Sequence, residues 1–278
     1  MSVDDQIAIR NIVKKSGTSF YWGMNVLDNE KKRAMFSIYA FCRIVDDIAD
    51  EIKDREEKKK KLKGWKNQIK NLYTNKKPNS SLEKELKHSI KKFKLELMDF
   101  YSIIDGMLMD AEKDIRFPAK SKLDLYCDRV AVAVGNLSIK VFGLSKREKK
   151  YALYLGRAFQ LTNIARDFFE DYKNGRCYIS SNYFKKNGVN QNMKTIIYDP
   201  KLQNVFQDIL SDAKDYYEKA FMESKKICKK KIIASEIMKK FYLGIHSKMF
   251  KRQIKFEKKV KLTFLEKFAT LILFFIRY

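Results

Sequence analysis

The stretch QLTNIARDFFEDYKNGR, Gln160 to Arg176, decides how this chain of 278 residues is read. Asn163, Asp167 and Asp171 follow one another at intervals of four. On an α-helix each such step rises about 6 Å and turns the side chain only ~40° past a full circle, so the three oxygen-bearing groups form one stripe. Ile164, Ala165, Phe168 and Phe169 supply the apolar faces that hold such a helix inside a protein. Burying two carboxylates and an amide is costly unless something compensates the charge. Hard divalent cations do so. Mg²⁺ in particular accepts a few protein oxygens and completes its shell with water and substrate phosphates. Spaced acids are also the pattern of a solvated helix face, here with Lys173 as neighbour, and this helix alone leaves both readings open.

A second acidic cluster, CRIVDDIADE at Cys42–Glu51, narrows the choice. Asp46 and Asp50 are again four apart, with Asp47 beside them, and the preceding MFSIYAF (Met35–Phe41) is apolar and aromatic. Two such helices facing each other set carboxylates on opposite walls of one cavity, where like charges repel strongly at low dielectric. Bound Mg²⁺ and a polyphosphate turn that repulsion into a bridge. Arg43, Arg166 and Arg176 border the clusters, and guanidinium groups pair bidentately with phosphate oxygens. Acids for metal, arginines for phosphate and an apolar lining together describe a site for a long-chain prenyl diphosphate.

The rest of the chain supports an all-α fold. Only 10 Gly and 3 Pro interrupt it, long segments carry apolar residues at helical spacing, and no run alternates. Helices are expected over 7–13, 29–50, 53–73, 81–97, 99–112, 123–142, 148–172, 202–228, 232–256 and 262–276. The linking segments 16–22 and 113–121 are expected as turn and loop. With no repeat and no Pro- or Ser-rich linker, residues 1–278 are expected to form one domain. The formal charge of +25 attracts nucleic acid, anionic lipid and anionic substrates alike. The lysines are scattered, however, and no nucleic-acid-binding signature is present, so nucleic acid is not an expected partner. Cys42, Cys127, Cys177 and Cys228 lack metal-site spacing and are expected as reduced thiols. The acidic N-terminus MSVDDQ has no apolar core, so it is not expected to act as a signal peptide. The apolar segment 262–276 is shorter than the roughly 20 residues that span a bilayer; it is expected to rest in an anionic membrane interface, with cover for the core as the alternative. The expected location is therefore cytoplasmic, peripheral on the inner face of the membrane.

The chain resembles the squalene and phytoene synthases, the head-to-head prenyl transferases. SFYWG at 19–23, YAFCRIVDDIADE at 39–51, YCDRVAVAVG at 126–135 and LTNIARDFFEDYKNGRCY at 161–178 carry the resemblance. It runs from about Ser16 to Lys267. It implies an isoprenoid-synthase-type helical bundle around a central cavity. It also implies that Asp46, Asp50, Asn163, Asp167 and Asp171 hold Mg²⁺, with Mn²⁺ as a substitute, against a leaving diphosphate. Arg43, Arg166 and Arg176 would grip phosphate, with Ser19, Lys259 and Lys267 as further contacts. Phe20, Met24, Val130, Val134, Gln160 and Tyr242 would line the prenyl channels. Tyr126 would handle the proton or orient the diphosphate that accepts it, although a hydrogen-bonded core tyrosine has the same sequence signature.

Within the family, SGTSFYWGMNVL and YCDRVAVAVGNLSIKVFG look most like the bacterial presqualene diphosphate synthases of the hopanoid route. That likeness implies two farnesyl diphosphates as substrates and a product released without NADPH, ahead of downstream isoprenoid enzymes. The rivals are a phytoene synthase acting on geranylgeranyl diphosphate, a squalene synthase that continues with NADPH, and a catalytically silent assembly subunit. The family pattern YCxxVAGxVG has its first glycine replaced by Val132. This valine is expected to narrow the pocket wall against longer chains.

Overall fold

A computed structural model describes residues 3–16, 19–112, 115–251 and 259–277. Thirteen α-helices occupy the described residues, and no strand does. In order they are α1 (Val3–Lys15), α2 (Phe20–Met24), α3 (Asn29–Glu51), α4 (Arg55–Leu72), α5 (Ser81–Phe93), α6 (Leu97–Glu112) and α7 (Lys120–Cys127). There follow α8 (Ala133–Val141), α9 (Lys149–Lys173), α10 (Ser181–Lys186), α11 (Leu202–Ser224), α12 (Lys229–Lys251) and α13 (Phe264–Arg277). Local chemistry sets several starts. Asp28, Asp54 and Ser80 each accept a backbone N–H in the first turn of α3, α4 and α5, satisfying a donor the helix cannot pair itself.

The all-α expectation holds, with three local differences. Residues 16–22 are not turn throughout, because α2 begins at Phe20. The expected 81–97 helix ends at Phe93, where Lys94 turns left-handed (φ 51°) and donates back to the Ile90 carbonyl. The short α10 had no expectation; six residues give too little periodicity to see. Residues 252–256 of the expected 232–256 helix lie outside the described ones.

Two apolar cores flank a gap. One gathers α9, α11 and α12 around Phe168, Phe206 and Phe241. The other gathers α3, α4, α5 and α6 around Ile38, Phe41 and Phe100. Phe20 and Val130 pack against both, so they sit where the cores meet without closing.

The expected 123–142 helix is continuous but changes pitch. Asp128–Val132 form a π turn between α7 and α8. Inserted π turns often accompany functional sites because they re-aim side chains. Here the turn leaves Val130 on the cavity and sends Val132 into packing, 9% exposed. Val132 backs onto α9 at Gly156. A Cβ on Gly156 would stand 3.2 Å from the Val132 Cα and the Ala131 carbonyl. The expectation that Val132 narrows the pocket is therefore corrected: Val132 is buried away from the cavity lining, with its backbone packed against Gly156 of α9. Val132→Gly should leave the cavity intact and cost about 2–3 kcal/mol, from lost burial and poorer helix propensity. Urea unfolding of the variant against the native chain checks this.

Candidate functional site

The gap between the cores is a cavity of about 640 Å³. α3 contributes Arg43, Asp46 and Asp50, and α9 contributes Gln160, Asn163, Arg166, Asp167 and Asp171. The two acidic stripes thus line one cavity, brought there by helices whose opposite faces are core. Ser19 just before α2, Phe20 from α2, Val130 from the π turn, Tyr242 from α12, and Lys259 and Lys267 also line it, together with Tyr126 and Arg176. Met24 and Val134 do not. Met24 is buried in the α3–α6 core and Val134 packs against its edge, because each lies on a helix face turned from the gap.

Charge is unevenly compensated. Arg176 follows α9 and reaches back between the stripes, its Nη1 2.8 Å from Asp50 and its Nη2 3.9 Å from Asp171. The backbone aims it. Gly175 turns at φ 73°, its carbonyl accepts from Arg116 Nε at 2.7 Å, and Cys177 bridges to the 115–117 segment through bonds of 2.7 and 3.0 Å. Asp167 is held bidentately by Arg166 (2.8 and 2.7 Å) and by Lys259 at 3.0 Å. Burial opposes ionisation there, but the Arg166 and Lys259 charges outweigh it and keep the carboxyl below its usual range. Asp46 and Asp171 differ. Burial first, then neighbouring carboxylates led by Asp50, push Asp46 up to about 7 even with Arg43 beside it. Burial, then Asp167 and Asp50, push Asp171 up to about 8 against the pull of Arg176.

The sequence reading missed Asp110 and Tyr178. Asp110 lies on α6 and accepts hydrogen bonds from Tyr178 (2.8 Å) and Tyr126 (3.3 Å), one to each carboxylate oxygen. The two phenol rings stack at 4.9 Å. Tyr126 thus has a fixed partner, and burial, then Asp110, raises its pKa well above that of a free phenol. Burial also raises Asp110, to about 6, although the Tyr178 hydrogen bond and Arg176 lower it. A signal existed: Ile103, Met107 and Asp110 share one helical face at steps of four and three, and all three line the cavity. Cys42 lines it too, its thiol pushed up to about 12 by burial and then by Asp46, which makes it inert at neutral pH.

The donor set suits a hard cation that brings its own further ligands. The Asn163 Oδ1 is buried without a hydrogen-bond partner, and Asp46 and Asp171 are only loosely compensated, by Arg43 at 3.5 Å and by Arg176 at 3.9 Å. Among the described residues, no three Asp, Glu, His or Cys side chains converge closely enough to hold a metal by themselves. A cation here needs water or phosphate oxygens to complete its shell, as Mg²⁺ readily accepts.

The squalene/phytoene synthase family profile matches residues 13–266. The fold and the match place this chain in that family, and it is a prenyltransferase of the head-to-head class. The presqualene diphosphate synthase of Rhodopseudomonas palustris is 39% identical over 231 residues, covering 82% of each chain. That of Zymomonas mobilis is 43% identical over 202 residues, covering 72% of this chain and 69% of the relative. A dehydrosqualene synthase crystal structure superposes with a TM-score of 0.85 at 25% identity, covering 99% of this chain and 96% of that one. Phytoene synthases are more distant.

The cavity wall makes one close demand on sequence. A Cβ on Gly106 of α6 would stand 2.5 Å from the Val130 Cγ1, so Gly106→Ala must displace Val130 from its place on the wall. Overpacking of this kind costs about 1–3 kcal/mol. The variant should lose roughly tenfold in kcat/KM for prenyl substrate, and adding Val130→Ala should restore most of it. A double variant no better than the single one would show that Val130 does not shape the site.

Proposed function

We propose that this chain joins two farnesyl diphosphates head to head into presqualene diphosphate and releases that product without NADPH. One observation carries the choice of substrate: the relative that shares 82% of both lengths at 39% identity is a presqualene diphosphate synthase. In the proposed reaction one farnesyl diphosphate loses diphosphate to leave an allylic cation at C1. The double bond of the second attacks that carbon, and loss of a proton closes the cyclopropane.

The residues divide the work. Arg43, Arg166 and Arg176 bind diphosphate oxygens, with Lys259, Lys267 and the Ser19 hydroxyl at the cavity edge. Asp46, Asp50, Asn163, Asp167 and Asp171 would hold Mg²⁺ or Mn²⁺. When bound, the metal supplies positive charge against the negative charge that grows on the departing oxygen, an effect worth several kcal/mol. Phe20, Val130, Ile103, Met107, Gln160 and Tyr242 surround the chains and keep water from the cation. Tyr126 is too weak an acid to serve as an ionised base here. Its hydroxyl is committed to Asp110, and the departing diphosphate takes the proton.

Incubation with C15 and C20 diphosphates plus Mg²⁺, followed by mass analysis, tests the reading. The expected outcome is presqualene diphosphate from C15 with at least a tenfold preference in kcat/KM. Phytoene from C20 would overturn the substrate assignment. Asp46→Asn and Asp167→Asn keep shape and remove charge, and each should lower kcat at least ~10²-fold. Full activity in EDTA would overturn the metal set.

Peripheral contact with an anionic membrane through α13 is part of the same proposal. No helix among the described residues is long and apolar enough to cross a membrane, and at 14 residues α13 is only about 21 Å long. Phe264, Leu265, Phe268, Ile272, Phe275 and Ile276 are exposed on it, a face that interfacial helices bury among headgroups. Leu265→Glu with Ile272→Glu should cut sedimentation with phosphatidylglycerol vesicles about tenfold. Turnover of detergent-dispersed substrate should stay within twofold. Equal sedimentation of variant and native chain would remove the membrane assignment.

A further inference from the structure

The π turn needs something to hold its phase. Its closing bond runs from the Ala133 N–H to the Asp128 carbonyl. Moving that bond one residue along the helix would keep the count of backbone bonds, yet bring a different side chain to the cavity. Two close contacts bound the turn. A Cβ on Gly106 of α6 would stand 3.2 Å from the Arg129 Cβ and 3.5 Å from the Val130 backbone N, and one on Gly156 of α9 would stand 3.2 Å from the Val132 Cα. Glycine lets the backbones approach, but a missing side chain has no direction and cannot choose a phase.

The directional contact is made by Asp128. Arg157, next to Gly156 on α9, donates from Nε to Asp128 Oδ1 at 2.8 Å and from Nη2 to Oδ2 at 2.7 Å. Its remaining nitrogen, Nη1, donates to the Tyr216 hydroxyl of α11 at 3.1 Å, and the guanidinium lies 5.8 Å from the Tyr216 ring centre. Isolated surface ion pairs hold little, but a bidentate arginine fork fixes distance and angle together. Here the fork joins three elements, and the arginine side chain is only 20% exposed.

Asp128, Arg157 and Tyr216 all lie off the lining of the acid-lined cavity, whereas Val130 is on it. Val130 is two residues from Asp128. Side chains two apart on a helix point to nearly opposite sides, ~200° round. Drawing Asp128 toward α9 and α11 therefore directs Val130 toward α6 and the cavity. We propose that the Asp128–Arg157 pair, braced by Tyr216, is a positioning clamp that sets the chain-length preference of the prenyltransferase by holding Val130 on the cavity wall. Held inward, the valine takes room from a long chain; released, it swings aside. The preference served, for C15 over C20, rests on the substrate reading above.

The test measures kcat and KM for farnesyl and geranylgeranyl diphosphates with Mg²⁺ in native protein and variants, with urea midpoints to show that each variant folds. Asp128→Asn removes the charge with the least change of shape; Arg157→Gln removes the fork. Each should raise the C20:C15 ratio of kcat/KM at least about fivefold, the scale of a methylene-sized change in an apolar site. The change should fall mainly on KM for C20, with kcat for C15 kept within about threefold. In a Val130→Ala background the same substitutions should move the ratio by less than about twofold, because changes acting through one group do not add. Lys140→Gln breaks a different ion pair of the same continuous helix, Lys140–Glu96 at 2.9 Å, and should leave the ratio at its native value. An unchanged ratio in folded Asp128→Asn overturns the clamp. So does a shift that Lys140→Gln matches, or one that persists in full in the Val130→Ala background. Native protein that prefers C20 overturns the substrate assignment alone, since the coupling of Asp128 to Val130 is read from the same ratios whichever chain is preferred.

Discussion

Like charge confined at low dielectric is the constraint on which the rest of the structure depends. α3, α6 and α9 each deliver carboxylates to one cavity, and two of them, Asp46 and Asp171, are raised to about 7 and about 8 by burial and mutual repulsion. Such an arrangement costs stability unless positive charge enters. Arg176 supplies part of it from within the chain, spanning Asp50 and Asp171. Arg166 and Lys259 neutralise Asp167. The remaining deficit is what a cation carrying phosphate would offset in the proposed reaction.

That arrangement needs rigid support, and the two cores provide it. Each buries the far sides of the helices that carry the acids, so neither stripe can rotate away from the other without exposing aromatic core. The end of α9 is tied down independently, through Arg116 to the Gly175 carbonyl and through Cys177 to the 115–117 segment. Arg176 therefore reaches back by backbone design, where a longer free loop would spend entropy to place it. The π turn at Asp128–Val132 performs a similar service for Val130. It turns one valine onto the cavity and its neighbour but one into the α9 contact.

α12 and α13 link the cavity to the outer surface. Tyr242 and Ile245 of α12 and Lys267 of α13 face the acid-lined cavity, whereas Glu236 and Lys240 of α12 and Thr270 of α13 line a second, smaller cavity of about 420 Å³. The capping exchange between Thr263 and Glu266, and the Lys248–Glu266 pair at 2.6 Å, fix where α13 starts. Its apolar outer face is thus held beside both cavities.

Much of this was determined by the sequence alone. The all-α class and the acidic stripes at steps of four follow from helical geometry, which needs no partner to be read. The flanking arginines were legible for the same reason: residue type and spacing are local properties. Tertiary structure alone decided what faces what. It joined Asp110 and Tyr178 to Tyr126, because a hydrogen bond between residues 68 apart leaves no trace in local spacing. It removed Met24 and Val134 from the cavity wall, since one helix has both a cavity face and a core face. It also moved Val132 from the wall into packing, because a single π turn shifts the phase of a helix without altering the apolar pattern from which that phase is inferred.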